Sequence, residues 1–427
     1  MDANNIVTNV FKHAYFALNE TVRYYQARGT SVHVASLDAE KAFDSLWRNG
    51  LFHKLIGRIP DFTWRAMVTY YNQSLVRVRY NDQQTSTFAI SGGVKQGGIL
   101  SPFLFNFFID DLLKGCTDLR LGCKLGRSNV SILAYCDDIV LVSASLGQLR
   151  QLLLFCEEYS SRWRMKFNAG KSTHTLMACR KTEAGEKHSL SLYGKPLAYT
   201  DGFVYLGLPI GNDSYVRDFI ESKFTKCTRT FYSLSCFGCH VDGLAPRVTA
   251  FMYRTFCQPI LAYCLEGAFV GERLLKVLNS RQATLVKTFM GVSKFAKTTP
   301  LLHALRISSI THLYHKMKLI FLKQLQCNAL TNDILGFLRS KYSDMEPPKH
   351  SAIYQLNRIS SLIGTDVFLL DFNQRVLLLN NQFVHNDEMV RKVTNLCALI
   401  GEDLANFAFY RQILKDVLSH SYTDVPR

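Results

Sequence analysis

Apolar residues recur at near-helical spacing through Ile6, Val10, Phe11, Ala14, Leu18 and Val22, which predicts an amphipathic helix over about residues 5–27, ended by Gly29. The run Val32-His33-Val34-Ala35-Ser36-Leu37 then reads as a short buried strand that stops at Asp38. Helical segments follow near 45–57 and 61–74. Leu75 to Tyr80, the turn Asn81-Asp82 and Thr85 to Ile90 form a hairpin. Gly92-Gly93-Val94-Lys95-Gln96-Gly97-Gly98 is too rich in glycine for the interior of an element. Ser101-Pro102 then supplies an N-cap with proline at the first helical position, opening a helix over about 102–114 that is apolar on most sides and so expected to be buried.

Two further apolar runs, Ile132-Leu133-Ala134 and Ile139-Val140-Leu141-Val142, flank Tyr135-Cys136-Asp137-Asp138. Strands alternate faces and turns accept Asp, so this pattern predicts a hairpin whose tip carries both acids. Leu149, Leu152, Leu153, Cys156 and Tyr159 mark a helix packed by one face. Met165 to Asn168 and Thr173 to Met177 read as strands joined by Ala169-Gly170-Lys171-Ser172, and a further β segment covers Ser189 to Leu208. Past about residue 212 the pattern is helical, with a break at Pro347-Pro348. The order describes an α+β sheet domain followed by helices.

Composition narrows the class. With 427 residues, 48% hydrophobic and 12% aromatic, the chain is long and apolar enough to fold into two or three domains, which excludes a disordered protein. The net charge is +16, and residues 212–330 hold 16 basic against 6 acidic side chains, with Arg273, Lys276, Arg281, Lys287, Lys294 and Lys297 recurring. Such a concentrated excess suits a polyanion, most simply nucleic acid. The 12 cysteines are scattered without paired spacing and no leader opens the chain, so an intracellular, reduced protein is expected. No apolar run reaches the roughly 18 residues of a membrane span. Cys236, Cys239 and His240 lack a second close pair, so buried helix cysteines fit better than zinc.

Adjacent carboxylates repel, and a stiff hairpin that holds Asp137 beside Asp138 makes a cation the first question. If the strand ending at Asp38 neighbours that hairpin, three carboxylates meet on one sheet edge. Hard oxygen donors in that arrangement suit two Mg²⁺ ions about 4 Å apart and in-line nucleotidyl transfer.

Ser36-Leu37-Asp38-Ala39-Glu40-Lys41-Ala42-Phe43-Asp44, Gly93-Val94-Lys95-Gln96-Gly97-Gly98-Ile99-Leu100-Ser101-Pro102 and Ala134-Tyr135-Cys136-Asp137-Asp138 resemble, in order, motifs A, B and C of reverse transcriptases. Phe167-Asn168 with Lys171-Ser172 resembles motif D, and Tyr205-Leu206-Gly207 resembles motif E, the primer grip. The wording is most similar to non-LTR (LINE-type) retrotransposon polymerases, with group II intron maturases the nearest relatives to exclude. The resemblance implies a right-hand polymerase palm with partial fingers over residues 1–211, a basic helical thumb/connection over 212–330 and a helical C-terminal region over 331–427.

It also implies roles. Asp38 and Asp137 would bridge two Mg²⁺ ions, or Mn²⁺, with Asp138 assisting and Ala39 lending a backbone carbonyl. Phe43, five residues beyond Asp38, matches a steric gate against a 2′-hydroxyl. Gln96 and Gly97 would press on the nascent base pair and template, and Lys171 would meet the pyrophosphate as general acid or phosphate contact. The partners implied are an RNA template, a DNA primer and dNTPs. Only 37 residues precede Asp38 and the family's further fingers motifs are not recognised, so an N-terminally truncated fragment is expected, with a catalytically inactive nucleic-acid-binding remnant as the alternative. Asp110-Asp111 reads as the end of its helix, facing solvent or another loop, and Asp44 and Glu40 match the family wording without a metal role following from it.

Overall fold

The computed structural model describes residues 10–180, 189–241, 243–384, 388–402 and 407–419. The chain divides into two compact units, Met1–Leu206 and Gly207–Arg427. Residues 5–9 of the expected opening helix lie outside the described residues, and the helix runs over Val10–Gln26.

In the first unit, strand β1 (Val32–Asp38) carries apolar residues on both faces, Val32 and Val34 on one and Ala35 and Leu37 on the other, and it forms the middle of a five-stranded sheet. Its neighbours are β3 (Asp138–Ser143) and β4 (Thr173–Met177), both antiparallel to it. Strand β2 (Ile132–Tyr135) pairs antiparallel with the outer side of β3, and β5 (Ala198–Tyr199) pairs parallel with β4, giving the order β5-β4-β1-β3-β2. Helices Ser101–Asp118 and Leu146–Arg162 set Leu104, Phe108 and Leu112, and Leu149, Leu152 and Cys156, in one core with Ala35, Leu37, Ile139 and Leu141 of the sheet. The helix Val10–Gln26 packs on β1 and β2, with Phe16 and Leu18 buried. Burying each such side chain contributes roughly 1.5–3 kcal/mol, which fixes the face of every strand and therefore the sheet register.

Several expectations change in detail. The helix expected over about 102–114 spans Ser101–Asp118 and is buried on one face only, with Phe103 exposed. Ser101 is not its N-cap: Leu100 holds that position without a side-chain bond, and the Ser101 hydroxyl donates to the Lys95 carbonyl. Asp110-Asp111 sits inside the helix, and Asp111 does not face open solvent alone, since it accepts from Lys54 Nζ at 2.6 Å and from the Tyr159 hydroxyl at 2.8 Å. Met165–Asn168 is no strand, because only Ala39 and Phe167 bridge. The expected β segment over Ser189–Leu208 breaks into short pieces, with β5 and strand Gly202–Tyr205 among them.

The second unit is helical. Phe231 of helix Asp213–Ser233 meets Phe289 of helix Glu272–Met290 at 4.7 Å between ring centroids, and Tyr253 at 6.0 Å. A π-helical turn at Tyr253–Cys257 precedes helix Gln258–Gly267, where Pro259 lacks the N–H that an unbroken α-helical ladder needs. One core runs from Ile220 to Leu418, drawing on residues from both sides of position 331. Among the described residues no helix is long and apolar enough to cross a membrane.

Candidate active site

The hairpin tip is tighter than its sequence suggests. Cys136 takes a left-handed backbone, φ 51°, so Cys136-Asp137 makes the turn and Asp138 is already the first residue of β3, opposite Tyr135. On its other side Asp138 stands directly opposite Asp38, the last residue of β1. Directly opposed residues on antiparallel strands share a face. The carboxylates of Asp38 and Asp138 therefore meet at one end of the two central strands, with Asp137 in the adjoining turn.

Three titration shifts report that cluster. The Asp138 carboxyl is raised above the ordinary carboxylate range by desolvation, then by the charges of Asp137 and Asp38. The Cys136 thiol is pushed up to about 11 by burial and by the charges of Asp137 and Asp138, so at neutral pH it is a protonated thiol and no nucleophile. Tyr205, 2% exposed, is raised by burial and by the Asp138 charge, and its hydroxyl is buried with no hydrogen-bond partner. Among the described residues no three metal-binding side chains stand as a ready cation cage. The gathered groups are hard carboxylate oxygens, a donor set that fits divalent cations such as Mg²⁺.

Motif D closes around the end of β1. Asn168 N donates to the Asp38 carbonyl at 2.8 Å and Glu40 N to the Lys166 carbonyl at 2.8 Å, while Asp38 N donates to the Ser172 hydroxyl at 3.1 Å. None of these bonds involves the Ala39 carbonyl, and Ala39 itself is buried. Lys171 Nζ stands 3.9 Å from an Asp38 carboxylate oxygen, with its side chain largely in solvent. An ion pair that exposed contributes little to stability, so the contact bears on the charge of the site.

The glycine loop is laid onto the segment after Asp38. Gly93 N donates to the Leu46 carbonyl at 2.9 Å and Val94 N to the Phe43 carbonyl at 2.7 Å. A Cβ on Gly93, φ 73°, would stand 2.5 Å from the Asp44 carbonyl oxygen and 2.6 Å from that of Phe43, so only glycine fits. Gly97 also has a positive φ, 76°, but nothing lies within 4 Å of its missing Cβ. Phe43 is half-buried and packs on Phe105 at 5.3 Å. The Gln96 amide donates to both Asp44 oxygens at 2.8 and 3.0 Å, so it is tethered across the two motifs. Tyr205 ends strand Gly202–Tyr205, and Leu206 and Gly207 follow with φ 51° and 77°, the paired left-handed geometry of a type I′ turn.

Sequence reasoning missed two parts of this arrangement. Arg48, 6% exposed, donates to the carbonyls of Gly93 at 2.7 Å, Tyr71 at 3.0 Å and Ile90, clamping the approach to the glycine loop. Its only signal was an arginine close after motif A, at the start of a helix that also carries Asn49, His53 and Lys54. Asp44, set aside as having no metal role, anchors Gln96; the signal was its place inside motif A.

A sheet with helices packed on it and three acids at the end of its central strands defines a polymerase palm. Residues 2–210 match the reverse transcriptase (RNA-dependent DNA polymerase) family. The RNA-directed DNA polymerase from mobile element jockey of Drosophila melanogaster is 21% identical over 292 residues, covering 65% of this chain and 30% of that protein. The Pol polyprotein from type-1 retrotransposable element R2 of Popillia japonica is 31% identical over 265 residues, covering 60% and 36%. Among solved structures, telomerase from Candida albicans overlays 81% of this chain and 55% of that one at 12% identity and a TM-score of 0.33, too slight an overlap to weigh. The first half of the chain is a reverse transcriptase domain of the non-LTR retrotransposon family. The chain spans about a third of the length of the curated relatives it matches.

Proposed function

We propose that the chain copies RNA into DNA, adding deoxynucleotides from dNTPs to the 3′-hydroxyl of a DNA primer on an RNA template. The observation that supports this most is the register that faces Asp38 with Asp138 beside Asp137. Asp38 and Asp137 would hold the divalent cations, Mg²⁺ or Mn²⁺, with Asp138 and the backbone carbonyl of Ala39 assisting. When bound, the ions supply activation of the primer hydroxyl and stabilisation of charge on the departing pyrophosphate.

The chain's own residues position the reactants. Phe43, braced on Phe105, is the steric gate, since a ring so packed does not yield to a 2′-hydroxyl. Gln96, held by Asp44, and Gly97, with open space above it, lie against the nascent base pair. Lys171 takes the pyrophosphate charge, and Tyr205-Leu206-Gly207 grips the primer. In this reading residues 1–211 form the fingers portion and palm, 212–330 a thumb whose basic excess tracks duplex phosphates, and 331–427 a helical extension. The chain works inside the cell.

Primer extension on poly(rA)/oligo(dT), with duplex binding measured in parallel, tests this. Extension with Mg²⁺ and binding that weakens steeply with salt are expected. Normal duplex binding without extension would leave the chain as an inactive nucleic-acid-binding protein.

A further inference from the structure

Within the second unit, helices Glu272–Met290, Ile310–Gln326 and Ala352–Ile363 line a cavity of about 300 Å³. That is the lower end of the roughly 300–1,000 Å³ of small-molecule sites and has room for a single nucleotide. Val270 and Leu275 give it apolar wall. Two of its polar groups are already occupied: the Tyr314 hydroxyl donates to Gln355 at 3.0 Å and accepts from Val270 N, and Thr311 is bonded to Asn279 at 2.6 Å.

Three features remain for a ligand. The rings of Tyr354, Phe269 and His315 line it, with Phe269 also packed on His350 at 4.2 Å between ring centroids. Lys276 makes no ion pair among the described residues, and Arg358 is held by Glu272, so two cations and one anion stand at the cavity. His315 has a buried Nδ1 with no hydrogen-bond partner. Burial, then the charges of Arg358 and His312, push it down to about 4, so at neutral pH it offers a neutral ring and not a charge. Flat apolar rings, one neutral hydrogen-bonding edge and a net positive rim complement a nucleobase with its phosphate. The basic excess over residues 212–330 favours a nucleic acid strand as its source.

We propose that this cavity takes one unstacked nucleotide of a single-stranded RNA, the base among Phe269, Tyr354 and His315 and the phosphate at Lys276 and Arg358. The proposal rests on the reading of the chain as an RNA-copying polymerase, yet binding needs no catalysis, so the two fail separately.

The test is fluorescence anisotropy of labelled (rA)12 with the full chain, beside Tyr354→Ala, Lys276→Ala and the control Lys341→Ala. Each cavity variant is expected to weaken binding about tenfold, the loss typical of one stacked base, with the control unchanged. AMP is expected to compete in wild type where inorganic phosphate at equal concentration does not. Equal binding by folded variants, or equal competition by phosphate, overturns the base pocket. A 4-thiouridine placed in the oligonucleotide gives a readout without mutation: crosslinks to the peptides carrying Tyr354 or His315 support the site, and crosslinks only elsewhere overturn it. Loss of primer extension with these binding results intact would sink the polymerase reading alone.

Discussion

Gly93→Ala strikes at the join between the glycine loop and the segment after Asp38. The new methyl would stand 2.5 Å from the Asp44 carbonyl oxygen and 2.6 Å from that of Phe43, well inside ordinary contact, and both obstacles are backbone. Forcing a side chain into a left-handed φ costs about 1–2 kcal/mol, and overpacking at a site with no flexible neighbour adds about 1–3 kcal/mol. The expected loss is therefore about 2–5 kcal/mol, accompanied by weakening of the bonds from Gly93 N to Leu46 and Val94 N to Phe43. Gly97→Ala is the matched control, because its φ of 76° carries the same strain with nothing within 4 Å. Its loss should stay near 1–2 kcal/mol. All three tryptophans, Trp47, Trp64 and Trp163, lie in the first unit, so urea unfolding followed by tryptophan fluorescence reads this unit directly. Equal destabilisation by the two substitutions would refute the close approach of loop and strand end.

Three further outcomes follow from buried polar groups. Arg48→Met takes the donor from the carbonyls of Gly93 and Ile90, while that of Tyr71 keeps Ser74 N, and is expected to lower the stability of the first unit by about 2–5 kcal/mol; a loss below about 1 kcal/mol would mean the clamp is not formed. Tyr205→Phe removes a buried hydroxyl that has no partner, so the urea midpoint should hold or rise by up to about 1 kcal/mol equivalent, and a clear fall would show that the hydroxyl is bonded. His315 ordinarily titrates at 6.5 but is pushed down to about 4 in the fold, so between these values the unfolded chain holds a proton that the folded unit refuses. Its contribution is full above pH 6.5 and falls away as pH drops from 6.5 to 4, on the order of 3 kcal/mol in total. Circular dichroism melts across that window should show the slope, and His315→Gln should flatten it.

The parts legible in the sequence were those whose signal is local. β1 was readable because Val32 to Leu37 form one apolar run, and the acid hairpin because two apolar runs bracket Asp137-Asp138. That Asp138 faces Asp38 was not readable, since register between strands a hundred residues apart is set by burial of Leu37, Ile139 and Leu141 in a shared core. Ser101 looked like a cap because capping statistics are local, yet the nearby Lys95 carbonyl takes its hydroxyl. Arg48 and Asp44 escaped notice for the same reason: a buried arginine bonded to three carbonyls from separate segments has no pattern in one dimension. Asp111 read as a solvated helix end because Lys54 and Tyr159, which bind it, come from two other helices.

The central claim is that Asp38, Asp137 and Asp138 form one cation-dependent centre for DNA synthesis on RNA. Single-nucleotide addition of dTTP to oligo(dT) on poly(rA), measured for the wild-type chain and for Asp38→Asn, Asp137→Asn and Asp138→Asn at matched duplex binding, tests it most directly. The account predicts that wild type adds the nucleotide only with Mg²⁺ or Mn²⁺, that Asp38→Asn and Asp137→Asn each lower the rate by more than about a hundredfold, and that Asp138→Asn lowers it less. Undiminished addition by Asp38→Asn or Asp137→Asn would contradict it.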